Sequence, residues 1–303
     1  MDASFKVKFE KPDLNEMKKN HTIVDLHFHT RYSDGINTIQ KIVEHARSLG
    51  IGIAITDHNE IRGALEIDQY KDILNIPGIE VTSKEGTHIL VYFYDTDSLS
   101  RFFNHDIKPH MGSCVMSSTS LKMEEIISRA RNYKTVIIFP HPRCAAYTGI
   151  CNSYFSKDRQ NRLFKDVDGV EVINSGNLKK WNLKGTILGF NLEKSMTGGS
   201  DGHMLKHMGK AVSYVEFKAD RTSFLDAVKT GSSLVIGKEI DIFRKVTSSG
   251  LRFRNNIKNC PNLVEKNLRY SYSMINLKSK TLKSNVKRQF NKHLKNGYHS
   301  LLI

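Results

Sequence analysis

The chain has 303 residues, 39% apolar and 25% charged, a balance that is ordinary for a globular protein and excludes global disorder. Met1 to Asn20 is charged and lacks an apolar signal-peptide core, and no run approaches the ~18 apolar residues of a membrane span, so a cytoplasmic protein is expected. The formal charge of +15 is uneven: residues 251–303 hold twelve Lys and Arg against one acid, Glu265, and the rest of the chain is close to neutral. Four cysteines, Cys114, Cys144, Cys151 and Cys260, form no C-x-x-C pair and are expected as reduced thiols.

In chain order, short apolar runs alternate with amphipathic stretches. Ile23–Leu26 reads as a buried strand, and Thr38–Leu49 as a helix with Ile39, Ile42, Val43 and Ala46 on one face and Gly50 as its stop. Ile51–Thr56, Ile76–Glu80 and Ile89–Phe93 are further strands. Ser120–Asn132 reads as a helix, followed by strands at Val136–Phe139, Val170–Ile173 and Ser195–Thr197. Val212–Phe217 and the helix Thr222–Lys229 complete the pattern. Repeated strand–helix units imply an α/β fold with a mostly parallel sheet, and their number implies a barrel. Beyond about residue 240 the composition changes. Leu268, Tyr270, Tyr272 and Met274 alternate as in a strand, and Leu282, Val286, Phe290 and Leu294 recur as on one helix face among lysines. Residues 1–240 are therefore expected as one catalytic domain and 241–303 as a basic, partly helical extension.

Nearly every strand ends in His, Asp or Glu, and in a barrel those C-terminal ends converge on one face. The strongest signal is Asp25-Leu-His27-Phe-His29, followed by Asp34-Gly35 in a loop. The two-residue period of a strand points His27 and His29 to the same side, as two metal ligands require. Thr56-Asp57-His58-Asn59, Gly78-Ile-Glu80, Thr87-His88, Phe139-Pro-His141-Pro-Arg143 and Gly199-Ser-Asp201-Gly-His203 follow. Gly198-Gly199 lets backbone approach such a site closely. Ser33 and Ser200 lie inside these motifs without a Ser-His-Asp chain order, and no P-loop is present.

This set and order resemble the PHP family of polymerase-associated and histidinol-phosphatase domains, over about residues 22–236. The resemblance implies a distorted (β/α)7 TIM-like barrel with a trinuclear metal site. It implies that His27, His29, Glu80 and Asp201 hold one ion. Glu80, as a bridge, would hold the second with His88 and His141, and Asp34, His58 and His203 the third. His88 follows Glu80 by only eight residues, a compact connection. Two to three divalent ions, Zn, Mn or Fe, suit such imidazole and carboxylate donors. Six neutral histidines and three carboxylates leave the loaded site positive, which favours an anionic substrate.

The expected activity is hydrolysis of a phosphate ester by a metal-bridging hydroxide. Glu80 and Asp201 are the catalytic carboxylates, and Arg143 contacts phosphate bidentately. Asp25 and Asp57 are expected to orient ligand histidines through their second ring nitrogens, and Asn174 to border the pocket. Phosphorylated small molecules, nucleotides and short 5′-phosphorylated nucleic acid remain open as substrates. A 5′–3′ exonuclease, a non-catalytic regulatory metal-binding module and a non-phosphate hydrolase are the alternatives. For the basic extension three readings stand: a helix packed on the barrel, a nucleic-acid grip, and, least favoured, a membrane-surface helix. Substrate and oligomeric state are not fixed by the residues.

Overall fold

The computed structural model describes residues 6–144 and 148–239; the basic extension, with its strand and helix expectations, lies outside the described residues. The chain runs β1 (Val7–Lys8), α1 (Leu14–Met17), β2 (Thr22–Phe28), α2 (Ile39–Leu49), β3 (Gly52–Ile55), α3 (Arg62–Ile67), β4 (Asn75–Thr82) and β5 (His88–Phe93). Next come α4 (Thr96–Arg101), a π turn and a 3-10 turn to His110, α5 (Met123–Ala130), β6 (Thr135–Phe139), α6 (Lys157–Lys165), β7 (Gly169–Asn174) and α7 (Lys179–Asn191). β8 (Ser195–Gly199), β9 (Ala211–Val215), α8 (Arg221–Thr230) and β10 (Leu234–Gly237) finish it.

The strands form one curled sheet in the order β1-β10-β9-β2-β3-β4-β5-β6-β7-β8. Its far edge returns towards its middle: the Gly198 amide on β8 donates to Ser213 Oγ on β9 (2.9 Å), and Phe28 pairs with Gly202. The result is a distorted TIM-like barrel. The sheet is mixed where a mostly parallel one was expected: β5 runs antiparallel to β4 and β6, and β9 to β2 and β10. The cause is local. A tight loop, Ser83–Thr87, joins β4 to β5, too short for the crossover that parallel strands need.

The helices form where sequence chemistry specifies them. In α2, Thr38 Oγ1 caps the Lys41 amide, Ile39, Ile42, Val43 and Ala46 are buried, and Gly50 closes the helix in the left-handed region. Asp220 and Gly231 do the same for α8. That helix packs Phe224, Leu225 and Val228 into an apolar cluster with Val24, Leu26, Ala54, Ile76, Leu90, Tyr92, Val136 and Ile138 from the strands. α7 was not legible, because its buried positions are Asn182, Gly185, Thr186 and Gly189 while Leu183 and Ile187 are exposed. Cys144 and Cys151 form no disulfide, but Cys114 is disulfide-bonded, so the expectation of four reduced thiols does not hold. No described helix is long and apolar enough to cross a membrane.

Candidate metal centre

Strand ends carry the site. His27 and His29 leave β2, and His58 follows β3 and pairs with Glu80 of β4 in an isolated bridge. His141 follows β6, and Asp201 and His203 follow β8. His88 opens β5, and because that strand is antiparallel, its first residue lies at the mouth where the other strands end. The short spacing from Glu80 is thus a hairpin that sets His88 Nδ1 3.0 Å from Glu80 Oε1.

All nine sequence-selected residues meet in one cluster. Glu80 stands at its centre, 1% exposed, with each oxygen facing a different set of rings. Oε1 lies 3.0 Å from His88 Nδ1 and 3.4 Å from His141 Nε2. Oε2 lies 3.4 Å from His27 Nε2, 3.5 Å from His29 Nε2 and 3.1 Å from His58 Nδ1. Asp201 Oδ1 is 3.3 Å from His29 Nε2 and 3.7 Å from His27 Nε2. His203 Nε2 approaches Asp34 Oδ2 at 2.8 Å.

Among the described residues, donor atoms lie within 4.8 Å of one another in each of three groups: His29 with Asp34, His58 and His203; His27 with His29 and Asp201; and His58 with Glu80 and His88. The groups share members that the resemblance keeps apart. His58 presents Nδ1 to Glu80 and Nε2 to Asp34 (3.8 Å), so it stands between two groups.

The donor chemistry fits cations. His27 Nε2, both nitrogens of His29 and His58 Nδ1 are buried without a hydrogen-bond partner, although carboxylates face them at 3.1–3.7 Å. A buried polar atom left unsatisfied costs about 1–3 kcal/mol, and a shared cation removes that cost. Burial works to raise the Glu80 carboxyl, but His88, His58 and His27 outweigh it and hold Glu80 well below the usual carboxylate range. Asp201 is likewise held well below it against burial, by His27, His29 and His203. Burial drives His58 down to about 3.

The surrounding acids act on backbone. Asp57 accepts from the Thr30 amide (2.7 Å), Thr30 Oγ1 (2.6 Å) and Ser33 Oγ, and so fixes the loop that carries Asp34. Asp25 accepts from the amides of Ser200 (2.8 Å) and Gly209 (3.0 Å), tying β2 to the Asp201 loop. Neither orients a histidine ring as expected, because each is engaged by a loop. Burial nevertheless raises Asp25 to about 6. Ser33 and Ser200 are engaged in this scaffold, Ser200 Oγ donating to the His27 carbonyl (3.3 Å). Asn59, His141 and Asp201, all at strand ends of the site, have φ of 44°, 31° and 49°. Such left-handed backbone in non-glycine residues persists where the surroundings enforce it. A Cβ on Gly199 would stand 2.5 Å from His27 Cβ, which accounts for glycine there.

Sequence reasoning missed Glu171. It lies 2% exposed in β7, with His27 Nδ1 donating to it at 3.1 Å and the His141 amide at 2.9 Å. The available signal was an acid inside the apolar run Gly169-Val-Glu-Val-Ile-Asn174. Asn174, expected at the pocket border, donates to Glu171 (2.8 Å) and Asp201 (3.3 Å). Arg143 is half-buried just past His141, its carbonyl held by Asn177 Nδ2 (2.7 Å).

Comparison with known proteins follows the same lines. The family model for the PHP domain matches residues 25–167. An uncharacterized protein, MJ1587, of Methanocaldococcus jannaschii is 30% identical over 167 residues, which is 50% of this chain and 81% of that protein. Among solved structures, a two-domain protein from Bacteroides vulgatus containing a predicted PHP-like metal-dependent phosphoesterase aligns with a TM-score of 0.55 at 16% identity, over 84% of this chain and 73% of the other. The lesion-specific endonuclease PfuEndoQ from Pyrococcus furiosus aligns at 0.57 and 19% identity, over 71% of this chain and 57% of the endonuclease. At these identities the two structures establish the fold alone.

Proposed function

The chain belongs to the PHP domain family, and from that premise we propose that it is a metal-dependent phosphoesterase whose histidine–carboxylate cluster holds two to three divalent cations. The observation that carries this reading is the placement of Glu80, whose two oxygens face separate sets of imidazoles from different strands. A carboxylate so placed suits a bridge between ions. His27, His29 and Asp201 would complete one position, His88 and His141 a second, and Asp34, His58 and His203 a third, with His58 also reaching towards the second.

Cations bound there would supply charge neutralisation at the phosphoryl oxygens and an activated water at neutral pH. The protein's own residues do the rest. Glu80 fixes the spacing of the two donor groups. Asp201, 24% exposed at the side chain where Glu80 is 1%, faces the mouth and is the carboxylate placed to orient the attacking water. Arg143, on the segment that carries His141, clamps the phosphate through paired guanidinium N–H groups. A phosphomonoester, a nucleotide or a short 5′-phosphorylated nucleic acid is the substrate class. The 5′–3′ exonuclease reading draws on the basic segment 241–303, which lies outside the described residues, so the small phosphoester is the first substrate to try.

The experiment is elemental analysis of the purified protein, paired with Mn²⁺-supplemented hydrolysis of a nitrophenyl phosphate, a mononucleotide and a 5′-phosphorylated oligonucleotide. Two or three metals per chain with hydrolysis inhibited by free phosphate or vanadate supports the proposal, and the best substrate divides phosphatase from exonuclease. Metal uptake without cleavage moves the assignment to a regulatory module or a non-phosphate hydrolase. No uptake of any divalent ion at neutral pH overturns it.

A further inference from the structure

Glu171 belongs to none of the nine expected ligands, yet its two oxygens join three strands of the site. Its Oε1 accepts from His27 Nδ1 (3.1 Å) on β2, and its Oε2 accepts from the His141 amide (2.9 Å) after β6 and from Asn174 Nδ2 (2.8 Å) on β7. The same Asn174 amide reaches Asp201 Oδ2 (3.3 Å) after β8. Three donors therefore converge on the two oxygens of a side chain whose residue is only 2% exposed. Among the described residues Glu171 has no Lys or Arg partner, and His27 is its ion-pair contact.

We propose that Glu171 is the positioning residue of this centre: by accepting at both oxygens it holds the proton of His27 on Nδ1, which leaves Nε2 to face the ions, and it pins the left-handed backbone that presents His141. With Nδ1 donating, the Nε2 lone pair points at the gap between Glu80 (3.4 Å) and Asp201 (3.7 Å), distances too long for direct hydrogen bonds and suited to a shared cation. At His141, φ is 31°, a conformation a side-chain-bearing residue keeps only when something fixes its amide. A carboxylate meets both demands because it accepts at each oxygen and donates at neither.

The chemistry distinguishes glutamate from glutamine at this position. In Glu171→Gln the single carbonyl oxygen goes where two donors already point, towards His141 and Asn174. The amide NH₂ then faces His27 Nδ1, which must accept. The His27 proton moves to Nε2, the atom that faces Glu80 and Asp201. The shape of the side chain is unchanged, so the fold survives while one donor is switched off.

The consequence for metal rests on the proposed function; the proton position does not. Imidazole nitrogen NMR of wild-type protein, metal-free and Zn²⁺-loaded, should show a protected proton on His27 Nδ1, and Glu171→Gln should lose it. Equilibrium dialysis of Zn²⁺ and Mn²⁺ should show affinity at the His27 position weakened roughly 10- to 100-fold, the range for removing a partner of a ligating histidine. A wild-type His27 that lacks the Nδ1 proton overturns the inference without any variant. A Glu171→Gln protein that retains it, or that binds both metals with wild-type affinity, overturns it as well. If the wild type takes up no metal, the phosphoesterase reading fails, and the proton on His27 still decides the role of Glu171.

Discussion

Glu80 and Gly199 set the limits of what a single residue can do in this centre. Glu80 is buried among five imidazoles, and replacing it by Gln removes one of two acceptor oxygens at a point where both are faced. Glu80→Gln should lose metal and activity together, by more than the roughly 100-fold that removing an outer partner of a ligand costs. Elemental analysis alongside turnover checks this, and full turnover at normal metal content would sink the bridging role. Gly199 acts through space alone. Its absent Cβ would lie 2.5 Å from His27 Cβ and 2.7 Å from Glu171 Oε1. Gly199→Ala should destabilise the protein by about 1–3 kcal/mol, as overpacking does, and weaken metal binding by displacing His27. Denaturant melts with metal titration separate the two effects. Serine hydroxyls, by contrast, are spent on scaffold hydrogen bonds, so a nucleophile role has no support at this scale.

At the level of elements, the hairpin and the last helix matter most. The β4–β5 hairpin makes His88 a mouth residue. α8 closes the apolar cluster and is anchored at its first residue: Arg221 donates to Asp68 Oδ1 (2.6 Å), to the Asn75 carbonyl (3.0 Å) and to Asn75 Oδ1 (2.9 Å). Burial alone would raise Asp68, but hydrogen bonds from Arg221 and Lys71 outweigh it and hold its carboxyl below the ordinary range. A carboxyl depressed in the folded state stabilises above its unfolded pKa, near 4, and loses that contribution as pH falls through the lower folded value. Asp68→Asn should therefore melt earlier than wild type at neutral pH, by no more than about 1 kcal/mol for a pair this near the surface. The difference should shrink as the pH drops below about 4. Thermal melts across that range test it, and a gap that persists in acid would refute the assignment.

For the whole molecule, the centre gathers side chains from the ends of β2, β3, β4, β5, β6 and β8. A cation bound only by the folded state stabilises by about 2.7 kcal/mol at a hundredfold excess over its dissociation constant. Chelation should lower the melting temperature without unfolding the protein at 25 °C, because the apolar cores do not depend on metal. Circular dichroism with and without a chelator reads this directly. Truncation after residue 240 should leave small-phosphoester hydrolysis intact. Should the extension grip nucleic acid, the truncation would also flatten the salt dependence of oligonucleotide binding.

Read alone, the sequence selected nine residues that the fold brings into one cluster. A His two places from a His on a strand, and acids or histidines at successive strand ends, are local patterns, and strand alternation with barrel closure is enough to bring them together. It also determined α2 and α8, whose caps and apolar stripes are written within a few residues. It did not reveal α7, because periodicity reports apolar faces and this helix buries Asn, Gly and Thr. Only the tertiary structure decided the direction of β5, the straddling position of His58 and the hydrogen-bond partners of Asp25, Asp57 and Glu171. Those partners depend on which buried donor meets which acceptor, and His27 and Glu171 are 144 residues apart. A hydrogen bond is fixed by a few tenths of an ångström and an angle, which strand closure sets and local sequence does not encode.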